Sequence, residues 1–205
     1  MKFLLERAGT ATAILFGSTL VADAHIIGAR LGDFYMGALH PFTDLLDIIL
    51  WVAMGVLAGS IGASRGRWLI LLFPLGLVAG LAAASVSESV PAGPALDAGM
   101  ILILGLLLAA NARLSTPWLG ALAFGLAVMR GAANAGGVGP ETSRLLFAAG
   151  LACAGYVAIT LTIALTLAFS RSDDSNVKGW RSIAIRALGG WIAAIGLMMA
   201  GMALA

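Results

Sequence analysis

The chain has 205 residues, of which 60% are hydrophobic and only 11% charged, and its formal net charge is +2. Its mean hydropathy of +1.01 lies far outside the range of a soluble domain, whose apolar share is about 45–50%. These values exclude a soluble globular enzyme and, with no basic stripe interleaved with aromatics, a nucleic-acid-binding protein. They describe an all-α polytopic transmembrane helix bundle whose first partner is the lipid bilayer.

Residues 1–24 read as a secretory signal peptide. Lys2 and Arg7 precede an apolar run from Ala11 to Val21, and Ala22-Asp23-Ala24 gives a peptidase-type ending that would leave His25 as the new N-terminus. An uncleaved anchor helix is the equal alternative, because Leu4 to Ala22 is almost long enough to cross. Residues 25–42 form a mildly amphipathic outer segment with Phe34, Tyr35 and Met36, suited to the headgroup zone.

Residues 43–205 are expected to form a six-helix transmembrane domain, with apolar segments at approximately 43–63, 68–86, 95–112, 117–130, 143–169 and 187–204. The fourth is short and runs into the Gly-rich stretch GAANAGGVGPE, which suits irregular backbone sheltered by protein. If Lys2 and Arg7 are cytoplasmic and the segments alternate, nine basic residues fall on the inner side and Arg30, Arg130 and Arg144 on the outer. The expected location is the inner (plasma) membrane, and that positive-inside bias orients the chain with the segment after residue 24 and the C-terminus toward the outer side. Segment 170–186 then becomes the one sizeable cytoplasmic loop, with a short amphipathic stretch ending in Trp180 and Arg186.

The acids show the opposite bias. Pro41 precedes Asp44, Pro94 precedes Asp97, and Pro140 precedes Glu141. Proline suits the first helical position and an acid in the first turn complements the helix dipole, so these read first as helix starts, Asp97 above all. The sharper reading is an acidic vestibule that gathers cations. Asp47 fits the helix-start reading worst, because it lies a further ~4.5 Å along the helix than Asp44. With His40 just before them, Asp44 and Asp47 make the mouth of the helix within Ala38 to Gly62 a candidate cation site.

The interior is otherwise dry. Gly55-x-x-x-Gly59 and Gly76-x-x-x-Gly80 predict close packing of the first two helices of the domain on each other. Thr160, Thr162 and Thr166 are expected to bond back to their own helix. Arg130, beside the Gly-rich stretch, is placed to pair with an outer acid. Met198, Met199 and Met202 read as apolar filling. The single Cys153 makes no internal disulfide and no zinc spacing. No nucleophile elbow, zinc-protease, Walker or dinucleotide motif is present, so no enzymatic activity and no cofactor are expected.

From His40-Pro41-Phe42-Thr43-Asp44-Leu45-Leu46-Asp47 the chain resembles the HupE/UreJ family. These are small membrane proteins associated with hydrogenase and urease operons and regarded as nickel permeases. The family pattern is a signal peptide ending before a His, an outer segment, then H-P-x-x-G-x-D-H opening the first helix. A later helix ends in an H-G-x-A-H-G-x-E type loop. Ala24-His25, Gly37 to Pro41, Val52 to Gly55 and Arg130 to Gly136 follow that layout. The chain departs from it where Asp44, Leu46 and Asp47 stand for the family's Gly, Asp and His, and where Arg130, Ala132 and Asn134 fall on the later histidine motif.

The resemblance implies uptake of a divalent metal ion (nickel, cobalt or manganese) from the outer side. His25 and Glu141 join His40, Asp44 and Asp47 as the metal-ligating set it implies. The alternative is a non-transporting structural or accessory subunit of a larger membrane protein complex, with other membrane subunits as partners. The lost histidines point that way, since nickel favours imidazole and a carboxylate set suits harder ions.

Overall fold

The structure is a computed structural model and describes residues 32–86, 93–170 and 178–204. Residues 1–24 and His25 lie outside these, as do residues 171–177. Among the described residues there is no strand. The helices are α1 (Gly32–Thr43), α2 (Leu45–Ile61), the short α3 (Ala63–Gly66), α4 (Leu69–Val86), α5 (Pro94–Ala109), α6 (Thr116–Ala133), α7 (Arg144–Ser170) and α8 (Lys178–Leu204). A 3-10 turn, Asn134–Gly137, follows α6.

All six apolar segments are helical, with shifted bounds. Three stretches are long and apolar enough to cross a membrane: Ala63–Val86, Arg144–Ser170 and Gly179–Ala203. A fourth is obtained if α1 and α2 count as one span broken by an 83° bend. α5 is apolar but has only 16 residues, about 24 Å at 1.5 Å per residue. α6 carries Arg130 in its last turn. The sixth segment starts earlier than 187: α8 is continuous from Lys178, so the amphipathic stretch around Trp180 is the first turns of that helix rather than part of a loop.

The bend has a local cause. Asp44 is extended (φ −104°, ψ 112°) and is the N-cap of α2, its side chain accepting from Leu46 N at 2.9 Å. Thr43 Oγ1 donates to His40 O at 2.7 Å and closes the last turn of α1. A cap that accepts its own helix's first amides ends one helix and starts the next.

The main packing partners are α5 with α8, α4 with α6, and α7 with both α2 and α4. Glycines decide these pairs, as expected where helices meet in a membrane. A Cβ at Gly55 would lie 2.6 Å from Thr162 Cβ, and one at Gly59 as close to that of Thr166, both on α7. A Cβ at Gly76 would meet Ala127 Cβ at 2.7 Å, and Gly80 abuts the Val128 carbonyl, both on α6. The two GxxxG pairs therefore serve two different interfaces and not the α2–α4 contact expected from sequence. Gly105, Gly189 and Gly196 allow the same close approach between α5 and α8.

Thr162 and Thr166 bond back to Ala158 O and Thr162 O at 2.7 Å each, as expected, while Thr160 Oγ1 is buried without a partner. The core centres on α2, where Leu50, Trp51, Met54 and Leu57 are buried. Trp51 meets Phe73 of α4 edge-on at 5.5 Å.

Charges sort to the two ends of the bundle. At one end Arg65, after α2, donates to Leu114 O, just before α6; Arg181, near the start of α8, donates to Phe169 O, near the end of α7; and Arg186 donates to Ala109 O, the last residue of α5. Arg181 and Arg186 thus sit on carbonyls at helix C-termini, where the dipole favours cations. The opposite end gathers the starts of α2, α5 and α7 and the end of α6.

Candidate functional site

At that opposite end three helices bring acids to one cation. Asp44 caps α2, and Asp47 lies in its first turn. Asp97 lies in the first turn of α5, which opens on Pro94. Arg130 comes from the last turn of α6, which runs the other way. Its Nε donates to Asp47 Oδ1 at 2.6 Å, Nη2 to Asp44 Oδ2 at 2.6 Å, and Nη1 to Asp97 Oδ1 at 3.2 Å. One guanidinium thus answers three carboxylates, one with each of its nitrogens.

Exposure grades the cluster. The Asp47 side chain is 1% exposed and that of Arg130 4%, while Asp97 is 26% and Asp44 49% exposed. The innermost pair is sealed and the outer two acids face the opening. Three carboxylates against one guanidinium leave two formal negative charges, carried toward the exposed side.

Asn134 closes the inner edge. Its Nδ2 donates to Asp47 Oδ2 and to Arg130 O, each at 2.8 Å. Both amide protons are placed by these bonds, which fixes the amide orientation and leaves Oδ1 buried without a partner. Trp51, four residues beyond Asp47 on the same face of α2, likewise has a buried Nε1 with no acceptor.

The family comparison bears on this geometry. The family model described as HupE / UreJ protein matches residues 13–199, nearly the whole chain. The chain belongs to the HupE/UreJ family. No curated protein and no solved structure matches it.

In this HupE/UreJ protein the two motif segments meet in space. Asp44 and Asp47 come from the first, Arg130 and Asn134 from the second, and all four are joined by hydrogen bonds. The cation at the centre is the protein's own. Among the described residues, no three His, Cys, Asp or Glu side chains form a group able to hold a metal ion.

The remaining expected ligands lie apart from that network. His40, on α1, packs its half-buried ring on Phe147 at 5.9 Å. The same ring lies against the Gly-rich stretch, where a Cβ at Gly137 would come within 2.8 Å of His40 Nε2. Glu141 is exposed in the turn before α7 and is not in the helix. The acid at that helix start is Asp33 of α1, whose Oδ2 accepts from Ser143 N at 3.0 Å. His25 is outside the described residues.

Asp97, Arg130 and Asn134 were not in the ligand set read from sequence. Asp97 does begin a helix, as expected, and also reaches the cluster. The available signal was topological: helices starting at Asp44 and Asp97 and an oppositely running helix ending at Arg130 bring all three residues to one end.

Proposed function

We propose that this HupE/UreJ protein crosses the inner membrane six times and is a permease for a divalent metal ion, admitted from the outer side at the Asp44/Asp47/Asp97 mouth. The observation that carries the reading is the convergence of three carboxylates on Arg130 with two negative charges in excess, half of the Asp44 side chain being exposed. A concave acidic mouth raises the local concentration of cations. Carboxylate and amide oxygens are hard donors, so the reading favours a manganese-like ion over nickel. Arg130 then acts as a resident counter-ion that an arriving cation must displace from the outer acids.

The test is uptake of manganese, cobalt and nickel by cells expressing wild type, Asp44→Asn or His40→Ala at equal membrane protein levels. Uptake several-fold above empty-vector cells, and reduced in Asp44→Asn, is expected. Unchanged uptake in Asp44→Asn overturns the entry role.

A second reading has its own support. Every acid of the cluster already has the guanidinium as partner, and a saturated ion network also serves as a rivet between helices. A non-transporting subunit of a larger membrane complex would need no more. Gentle detergent extraction followed by mass spectrometry separates the two, because a protein that migrates alone counts against the subunit.

A further inference from the structure

α7 and α8 make little helix-to-helix contact, and α8 leans on α5 instead. A crevice of about 440 Å³ opens between α2, α7 and α8, lined among others by Val56, Leu165, Thr166, Phe169, Ile185 and Leu188. The hydroxyls of Thr162 and Thr166 on its wall are spent on their own helix carbonyls. The lining therefore offers water no partners, and a volume in the range of small-molecule sites does not stay filled by water without them. A vacant crevice of that size would forfeit the dispersion contacts of its walls. In a bilayer the hydrocarbon at hand is a lipid tail.

The rim of the crevice is charged. Arg181 lies one turn before Ile185, on the same side of α8. Its Nη1 donates to the carbonyl of Phe169, a lining residue, and its guanidinium carbon lies 5.3 Å from the Phe169 ring and 5.6 Å from that of Trp180. Its Nε has no partner among the described residues. Trp180 is half exposed beside it, as an aromatic at headgroup level would be. A guanidinium held by a carbonyl and two rings at the mouth of an apolar slot is complementary to an anionic headgroup above a hydrocarbon chain.

We propose that this crevice seats one acyl chain of an anionic phospholipid, with Arg181 holding its phosphate. The site is separate from the acidic mouth and stands whichever of the two functional readings holds.

The test uses the purified full-length protein in detergent, offered equal amounts of phosphatidylglycerol and phosphatidylcholine with identical chains, and read by native mass spectrometry. Wild type should retain phosphatidylglycerol about five-fold over phosphatidylcholine, the factor given by one cation at an anionic surface. Arg181→Gln should abolish the preference, whereas Arg113→Gln, exposed elsewhere at the basic end of the bundle, should keep it. Ala184→Trp, which fills the crevice, should reduce adducts of both lipids; the smaller Ala184→Leu serves if the tryptophan variant does not fold. Equal retention by wild type, a preference that survives Arg181→Gln, or one lost equally in Arg113→Gln overturns the site. A co-purifying polypeptide displaced by the Ala184 variants would also overturn it, by giving the crevice to a protein partner.

Discussion

Arg130 Nε stands 2.6 Å from Asp47 Oδ1 across 83 residues of sequence, and both side chains are almost wholly buried. The bond joins the end of α6 to the start of α2, two helices that otherwise barely touch. Asn134 then ties Asp47 to the backbone of Arg130 itself, so the pair is locked from both sides. The same guanidinium spends its remaining edges on Asp44 and Asp97. This arrangement makes the mouth of the bundle a single electrostatic unit and sets distinct expectations for each member.

Removing one partner of the sealed pair leaves the other charged and buried. Breaking such a pair typically costs about 3–5 kcal/mol. Asp47→Ala should therefore lower stability in a reversible unfolding assay in mixed micelles, by less than that because Asp44 and Asp97 still face the guanidinium. Arg130→Met combined with Asp47→Leu should recover part of the loss, because it strands neither member of the sealed pair, while Asp44 and Asp97 lose their guanidinium partner. A double variant as unstable as Asp47→Ala would show that the pair does more than satisfy itself.

Asp44 is a different case, because half of its side chain is in solvent. Exposed ion pairs are worth about 0–1 kcal/mol, and Asn retains the N-cap acceptor that Leu46 N needs. Asp44→Asn should change stability by less than about 1 kcal/mol while lowering cation uptake. Asp44→Ala also loses the cap and should cost about 1 kcal/mol more. Thermal unfolding of the two variants side by side measures the difference.

Hydropathy alone located all six apolar helices, because each needs an uninterrupted apolar run and the chain spaces its charges between them. The proline-then-acid starts marked α5 correctly and placed Asp44 at a helix mouth, but they misplaced α7. There the capping acid is Asp33, delivered from another helix, and no local pattern records that. The GxxxG pairs were legible as close-packing surfaces without naming their partners, since a glycine stripe fits any neighbour. The candidate site was legible in halves. Asp44 and Asp47 stood out as acids in an apolar setting, and Arg130 as a base at the wrong end of the charge bias. Their meeting depended on helix order and rotation, which composition does not encode.

The glycines give a contrast between a packed and an open position. A Cβ at Gly80 would run into the Val128 carbonyl, a backbone atom that cannot step aside, whereas one at Gly125 meets nothing within 4 Å. Gly80→Ala should destabilise by about 1–3 kcal/mol through overpacking. Gly125→Ala, on an exposed side of α6 that faces α5, should be neutral or slightly stabilising from helix propensity. Unfolding in mixed micelles distinguishes them, and equal effects would mean α4 and α6 pack less closely than this.

The resident cation yields the most discriminating expectation. Arg130→Gln removes the positive charge and leaves Asp44, Asp47 and Asp97 facing one another around a neutral amide. Three like charges in a partly buried mouth repel, so the variant should melt below wild type when divalent cations are chelated. A divalent ion of the oxygen-preferring kind can replace the lost charge, and binding to the folded state alone raises stability with concentration. Added manganese should thus raise the melting temperature of Arg130→Gln much more than that of wild type, where the guanidinium already occupies the carboxylates. Asp97→Asn in the Arg130→Gln background should blunt the rise by removing one of the three negative charges that attract the ion. A manganese response equal in wild type and Arg130→Gln would mean that the acids do not form a common cation site, and would shift the balance from the permease to the structural subunit.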